Sequence, residues 1–251
     1  MIKLKTIEEI DRIREASRLL AETHMELAKL VEPGIPTKEL DDFARNHIEK
    51  HGGSPAFLNY MGYPASLCVS INEEVIHGIP GPRKLADGDI VSMDLGVEID
   101  GYYSDMARTV PVGTISEEAD KLIRVTRECL YRGIEQVKPK KRIHAISQAV
   151  YDHAAGHGYG VVREYCGHGV GYSQHEDPQI PNYVSRGANP RIKKGMVMAI
   201  EPMINLGGAE VAVLDDDWTV VTADGSLSAH WEHTIAVFED HSEILTEPGV
   251  S

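Results

Sequence analysis

The sequence predicts an α+β fold in which two similar halves meet at a central, mostly antiparallel sheet. Two observations carry that reading. Each half runs in the same order, two helical stretches followed by strand-like segments, although no residue-level repeat accompanies it. No low-complexity segment or interdomain linker interrupts the 251 residues, a length that buries a full core, so one domain spanning residues 1–251 is expected.

Thr6 and Glu9 have the spacing of a capping box, and Ile10, Ile13, Leu19, Leu20, Leu27 and Leu30 then recur at helical spacing until Pro33-Gly34. A second helix is expected from an N-cap at Thr37 to Gly52-Gly53. From Ile90 the apolar period becomes two, and Asp100-Gly101 is the favoured pair for a type I′ turn, so Ile90–Ile99 and Tyr102–Val110 should form a hairpin. Helical patterns return from Ser116 to about Val137 and from Arg142 to about His157, and strand-like runs lie around Val197 and Thr234.

A formal charge of -14, from 39 acidic residues against 25 Lys plus Arg, disfavours stable nucleic-acid binding. Cys68, Cys129 and Cys166 are an odd set without CxxC spacing, which points away from a disulfide framework and towards a reducing cytoplasm. No apolar signal segment or membrane-length stretch is present, so neither secretion nor membrane insertion is expected.

Pairing Ile99 with Tyr102 sets Asp94 opposite Ala107 and Asp105 opposite Gly96. Both carboxylates then share one face as diagonal neighbours, roughly 7–8 Å apart at the backbone. Taken alone, a half-buried hairpin with Asp94, Glu98 and Asp105 facing water is the better explanation. Against that, Asp is depleted in strands, and the small residues opposite leave room for a ligand. Glu201 interrupts the apolar run Gly195–Ile204, where an unpaired buried carboxylate costs several kcal/mol, so either a metal meets it or Pro202 ends the strand and turns Glu201 outward. Glu232 lies in a strand pattern with His233, Thr234, Ile235, Ala236 and Val237, and His168 stands between Gly167 and Gly169, which allow close backbone approach. Mostly oxygen donors with one nitrogen suit Mn(II), Fe(II) or Co(II), and two ions sharing carboxylates would activate water and polarise a carbonyl. His77 and His175 are candidates for steadying an oxyanion or a scissile amide, whereas His24, His47 and His51 read as helix-surface residues among 12 histidines.

The blocks Gly62-Tyr-Pro-Ala-Ser66, Asn72-Glu-Glu-Val-Ile-His-Gly-Ile-Pro80, Glu164-Tyr-Cys-Gly-His-Gly-Val-Gly171, His175-Glu-Asp-Pro178, Ala199-Ile-Glu-Pro-Met203 and Glu232-His-Thr234 together resemble the type I methionine aminopeptidases, from the first helix to about Thr246. The resemblance implies a pita-bread fold with a dinuclear site. By it, Asp94 would chelate one metal, His168 and Glu201 the other, and Asp105 and Glu232 would bridge both. It further implies attack of a metal-bridging hydroxide on the first peptide carbonyl, with Glu201 shuttling a proton, His175 stabilising the oxyanion and His77 contacting the scissile amide. The reaction implied is removal of the initiator Met from nascent proteins when the next residue is small, with the Met side chain among Tyr60, Tyr63, Cys68 and Trp218. Those four are equally explained as ordinary core or surface residues. Gln174 departs from the family, where an apolar or aromatic residue lines the Met pocket, so pocket affinity is expected to differ.

A prolidase or Xaa-Pro aminopeptidase is the nearest rival, and such enzymes usually add an N-terminal domain for which no room precedes the helix at Thr6. A non-catalytic binding protein of the same fold is a second rival, and it should have lost ligand residues that are all present. The expected partners are N-terminal Met peptides, with the protein itself a monomer. A transient ribosome contact through Lys138, Lys140, Lys141 and Arg142 or through Arg191, Lys193 and Lys194 is a further option.

Overall fold

A computed structural model gives the fold of the protein and describes residues 1–247. In chain order the elements are α1 (Ile7–Leu30), α2 (Thr37–Lys50), β1 (Ser54–Pro55), β2 (Cys68–Ile71), β3 (Glu74–Ile76), β4 (Ile90–Ile99), β5 (Tyr102–Pro111), α3 (Glu117–Ile134) and α4 (Ile143–Gly156). Then follow β6 (Gly160–Val161), β7 (Gly167–Gly169), β8 (Glu176–Ile180), β9 (Val197–Ile200), β10 (Met203–Asn205), β11 (Val211–Val213), β12 (Val220–Thr222), β13 (Ser228–His230), β14 (His233–Val237) and β15 (Ser242–Ile244).

The capping box forms as expected: the Thr6 hydroxyl accepts from the Glu9 amide, and the Glu9 carboxylate accepts from the Thr6 amide. Thr37 is not the N-cap of α2. Pro36 holds that place without a side-chain bond, and the Thr37 hydroxyl instead accepts from Gly81 N–H, 2.8 Å. The long hairpin has the expected register, Asp94 opposite Ala107 and Asp105 opposite Gly96, with Asp100 and Gly101 at φ 51° and 83° as a type I′ turn needs. Val91, Met93, Leu95 and Val97 on one face pack against Leu20, Leu27 and Leu40 of the first two helices. The opposite face is buried too, so Asp94 and Asp105 do not face water.

In the second half Leu130, Ile143 and Ile146 of α3 and α4 cover Met198, Ile200 and Ile235 of β9 and β14, which repeats the layering of the first half. The two halves provide antiparallel trios, β2-β4-β5 and β7-β9-β14. They join through hydroxyls. Thr234 accepts from Asp105 N–H (3.0 Å) and donates to Asp105 C=O (2.8 Å), while Thr109 accepts from His230 N–H (2.8 Å) and donates to His230 C=O (2.9 Å). Between these contacts the Glu232 amide donates to Ala107 C=O, 2.9 Å. Each half thus satisfies backbone groups of the other that would otherwise be buried without partners.

His24 is fully buried, contrary to the helix-surface reading, because α1 lies across β5 and the ring bonds Met106 C=O at 2.8 Å. His47 is half-buried and His51 exposed. Among the described residues no helix is long and apolar enough to cross a membrane.

Candidate metal centre

Where the halves meet, the hairpin presents Asp94 and Asp105 from one side, and His168, Glu201 and Glu232 approach from the other. Asp105, His168 and Glu232 each place one donor atom within 4.8 Å of the other two. His168 Nε2 lies 3.6 Å from Asp105 Oδ2 and 3.4 Å from Glu201 Oε1. Gly167 and Gly169 hold this imidazole inside the sheet, since a Cβ on either would sit 2.4 Å from Ala199 O or 2.3 Å from Asp177 O. Glu201 follows β9 and, with Pro202, separates it from β10; at this interruption of the strand the carboxylate faces inward towards His168, not out to solvent. Glu232 lies just before β14, not within it.

The electrostatics of this cluster call for a cation. Burial pushes the Asp94 carboxyl well up from its ordinary range, and the charges of Asp105 and Glu201 add to the effect. Burial likewise raises Glu232, reinforced by Asp105, Glu201 and Asp94. Asp94 Oδ1 and Glu232 Oε1 are buried with no hydrogen-bond partner. Burial alone would lower the His168 pKa, but Asp105 and Glu201 outweigh it and raise it. His168 Nδ1 meets Gly169 O at 2.9 Å, which leaves Nε2 for a ligand. Partnerless buried oxygens, carboxylates crowded together and a free imidazole nitrogen are the donor set that divalent cations satisfy.

The cluster opens into a cavity of about 320 Å³ whose remaining wall includes Phe57, Tyr60, Met61, Tyr63, Cys68, His77, His175 and Trp218. Larger depressions of about 660 and 830 Å³ beside Tyr131 and beside Arg124 gather no buried carboxylates, so chemistry and not size selects the site. Tyr63 meets Trp218 edge-on at 5.1 Å, and its hydroxyl donates to Gly78 O at 2.9 Å. Cys68 pairs with Asp94 across β2 and β4, and burial pushes its thiol well up, so it is an apolar wall and not a nucleophile. His77 adopts φ 60° and sets its ring edge against Tyr165 and Trp218. Loss of hydration in the cleft lowers His77 to about 4 and, with His168 beside it, lowers His175 to about 4 although that residue is partly open to solvent, so both are neutral at neutral pH.

Tyr60 does more than line the cavity: its hydroxyl is 2.9 Å from His175 Nδ1, and its ring stacks on the imidazole at 5.3 Å. Glu176 clamps the turn leading to His175, accepting from Tyr172 N–H (2.7 Å), Ser173 N–H (3.1 Å) and the buried Lys5 ammonium (2.7 Å). Burial lowers the Lys5 pKa despite that pairing. Sequence reasoning missed Lys5 and also His230, which is buried with Nε2 3.7 Å from Glu201 Oε2 and both ring nitrogens unpaired. No local pattern marks either, because both contacts are made by residues distant in sequence.

Gln174 does not line the cavity. Its amide donates to Asp105 Oδ2, and its oxygen occupies the space opposite Asp105, where a Cβ on Gly96 would meet it at 2.8 Å. The room expected beside Gly96 is therefore filled by protein and not by a ligand.

The pita-bread α+β fold and a buried carboxylate–histidine centre define a metallopeptidase, and the chain belongs to metallopeptidase family M24, whose model matches residues 11–239. Within that family it is 54% identical to the methionine aminopeptidase of Treponema pallidum (strain Nichols), over 99% of this chain and 97% of that protein. The crystal structure of methionine aminopeptidase from Rickettsia prowazekii superposes with a TM-score of 0.96 at 42% identity, covering 98% of this chain and all of that one. Prolidase from Pyrococcus furiosus shares the fold at a TM-score of 0.81 and 24% identity, but the match spans only 65% of its chain.

Proposed function

We infer that this protein is a metal-dependent methionine aminopeptidase that hydrolyses the peptide bond after an N-terminal methionine. The observation that carries the reading is the junction of partnerless buried carboxylates with a largely apolar, aromatic-walled cavity in one chamber. Likeness to methionine aminopeptidases over nearly the whole chain supports it.

Asp94 would hold one divalent ion, His168 and Glu201 a second, with Asp105 and Glu232 shared between them. When bound, the ions supply an activated water at neutral pH and polarise the substrate carbonyl. Glu201, 3.4 Å from His168, would move a proton from the attacking water to the leaving amine. A Tyr60 hydroxyl donating to Nδ1, 2.9 Å away, would leave the proton of neutral His175 on Nε2, from which it would donate to the developing oxyanion. His77 would bond the scissile amide. The methionine side chain would pack against Cys68 and the rings of Tyr60, Tyr63 and Trp218, which favour a thioether. The donor set suits Mn(II), Fe(II) or Co(II).

The substrates are nascent chains with a small second residue, and the protein acts as a cytoplasmic monomer. A transient ribosome contact fits one observation: Arg142 and Arg191 pair as a β-bridge, which gathers exposed Lys138, Lys140, Lys141, Arg142, Arg191, Lys193 and Lys194 on one face of a chain of net charge -14. Replacing these cations without loss of ribosome co-sedimentation removes that contact from the account.

A competition assay tests the central reading. Met-Gly peptides should release Met while Xaa-Pro peptides stay intact; cleavage of Xaa-Pro peptides alone would move the chain to the prolidase type of activity.

A further inference from the structure

Away from the central cavity, α3 and α4 lie against each other and bring a second set of donors together. His153 and His157 are four residues apart at the end of α4, and Glu128 approaches from α3. One donor atom from each lies within 4.8 Å of the other two, the same convergence that marks the central cluster. His153 Nε2 is already 2.8 Å from Glu128 Oε2, and the two imidazole rings are 5.1 Å apart. Glu128 and His153 are half-buried, and His157 is exposed.

We propose that Glu128, His153 and His157 form a second divalent-cation site that takes an imidazole-preferring ion such as zinc(II) and fastens the end of α4 to α3. Histidines at i and i+4 project from one helical face, the spacing that helical zinc sites use. Zinc bonds nitrogen and carboxylate oxygen at about 2.0–2.2 Å, which in a tetrahedron sets donors about 3.3–3.5 Å apart, so His153 and Glu128 would open slightly from 2.8 Å and exposed His157 would swing in by rotamer adjustment. Three protein ligands leave the fourth position to water. The two centres differ in chemistry: the central one is rich in oxygen donors, whereas this one offers two imidazoles to one carboxylate and so favours zinc or copper over manganese. Arg124 reaches the other oxygen of Glu128 at 3.4 Å, leaving Oε2 for the ion. The site would tie down the end of α4, which stops at Gly156 with His157 as its C-cap; its backbone N–H bonds Ala154 O, and among the described residues the His157 imidazole has no hydrogen-bond partner.

The experiment loads the central site with Mn(II), equilibrates the protein with micromolar zinc(II), and counts bound zinc by elemental analysis. Wild type, His157→Ala and His153→Gln are compared. Neither histidine touches the central cavity, so manganese-supported peptidase activity in both variants confirms that they fold. Wild type should retain one zinc equivalent more than either variant, and zinc should raise its Tm by more than it raises theirs. Zinc that displaces manganese does so equally in all three proteins, so it cancels from the difference. Equal zinc counts in all three overturn the proposal.

Discussion

Asp94 and Glu232 each hold a buried carboxylate oxygen that no protein group satisfies. Such an arrangement stores repulsion that a bound cation relieves, so Asp94→Asn should stabilise the metal-free protein by about 1–3 kcal/mol while weakening its stabilisation by added metal. Thermal melts with chelator and with Mn(II) read both signs; an Asn variant less stable without metal contradicts the account. Gln174 acts on the same cluster by donating to Asp105 Oδ2, so Gln174→Leu should weaken metal affinity about tenfold, measured by titration of the stripped protein. His175→Ala should lower kcat by about 10²–10³ with little change in KM, because its bond forms only as the oxyanion develops. At this scale Glu201, a carboxylate in an apolar run, and His168, a histidine between glycines, stood out as local anomalies, whereas Asp94, Asp105 and Glu232 were singled out as ligands only by the family resemblance. Gln174 was legible only as a departure from the family pattern. Its contact with Asp105 spans 69 positions of sequence and needs the fold to be seen.

The register of β4 and β5 was readable because Asp100-Gly101 fixes it and the period-two alternation of apolar residues sets the faces, although both faces are buried. The seam between β5 and β14 was not readable, since Thr109 and Thr234 look like ordinary strand threonines until the halves are joined. Each hydroxyl serves both the N–H and the C=O of one residue in the opposite half. Thr234→Val keeps the shape and strips Asp105 of both bonds, which should cost about 2–4 kcal/mol, about 1–2 per orphaned group. Urea titration measures that loss, and metal affinity should fall with it because Asp105 is no longer held. A Thr234→Val protein with unchanged urea midpoint and metal affinity would show that the seam is held elsewhere. Thr37 shows the converse failure: the residue type was right for a cap, but Pro36 occupies the N-cap and the Thr37 hydroxyl serves Gly81 instead.

For the whole molecule, we propose that residues 1–251 unfold as one unit, since the centre draws its ligands from both halves. The general order of two helices then strands in each half was legible from periodicity, whereas His24 was misplaced by its residue type, although its spacing from Leu20 and Leu27 sets it on the packed face of α1. Burial lowers His24 to about 4 and His233 to about 3, from an ordinary 6.5. The unfolded chain therefore takes up these protons first. Stability is complete above about pH 6.5 and falls as pH drops towards the folded pKa values, by up to about 1.4 kcal/mol per pH unit for each histidine. His24→Leu should make that decline shallower between pH 6.5 and 4, and an unchanged slope would assign the acid sensitivity to other groups. The most direct test of the account is to strip the protein of metal and titrate Mn(II), Fe(II) or Co(II) back while following Met release from a Met-Gly peptide. The account predicts no release in chelator and recovery as metal fills the centre, with Asp105→Asn failing to recover; full Met release by the stripped protein would contradict it.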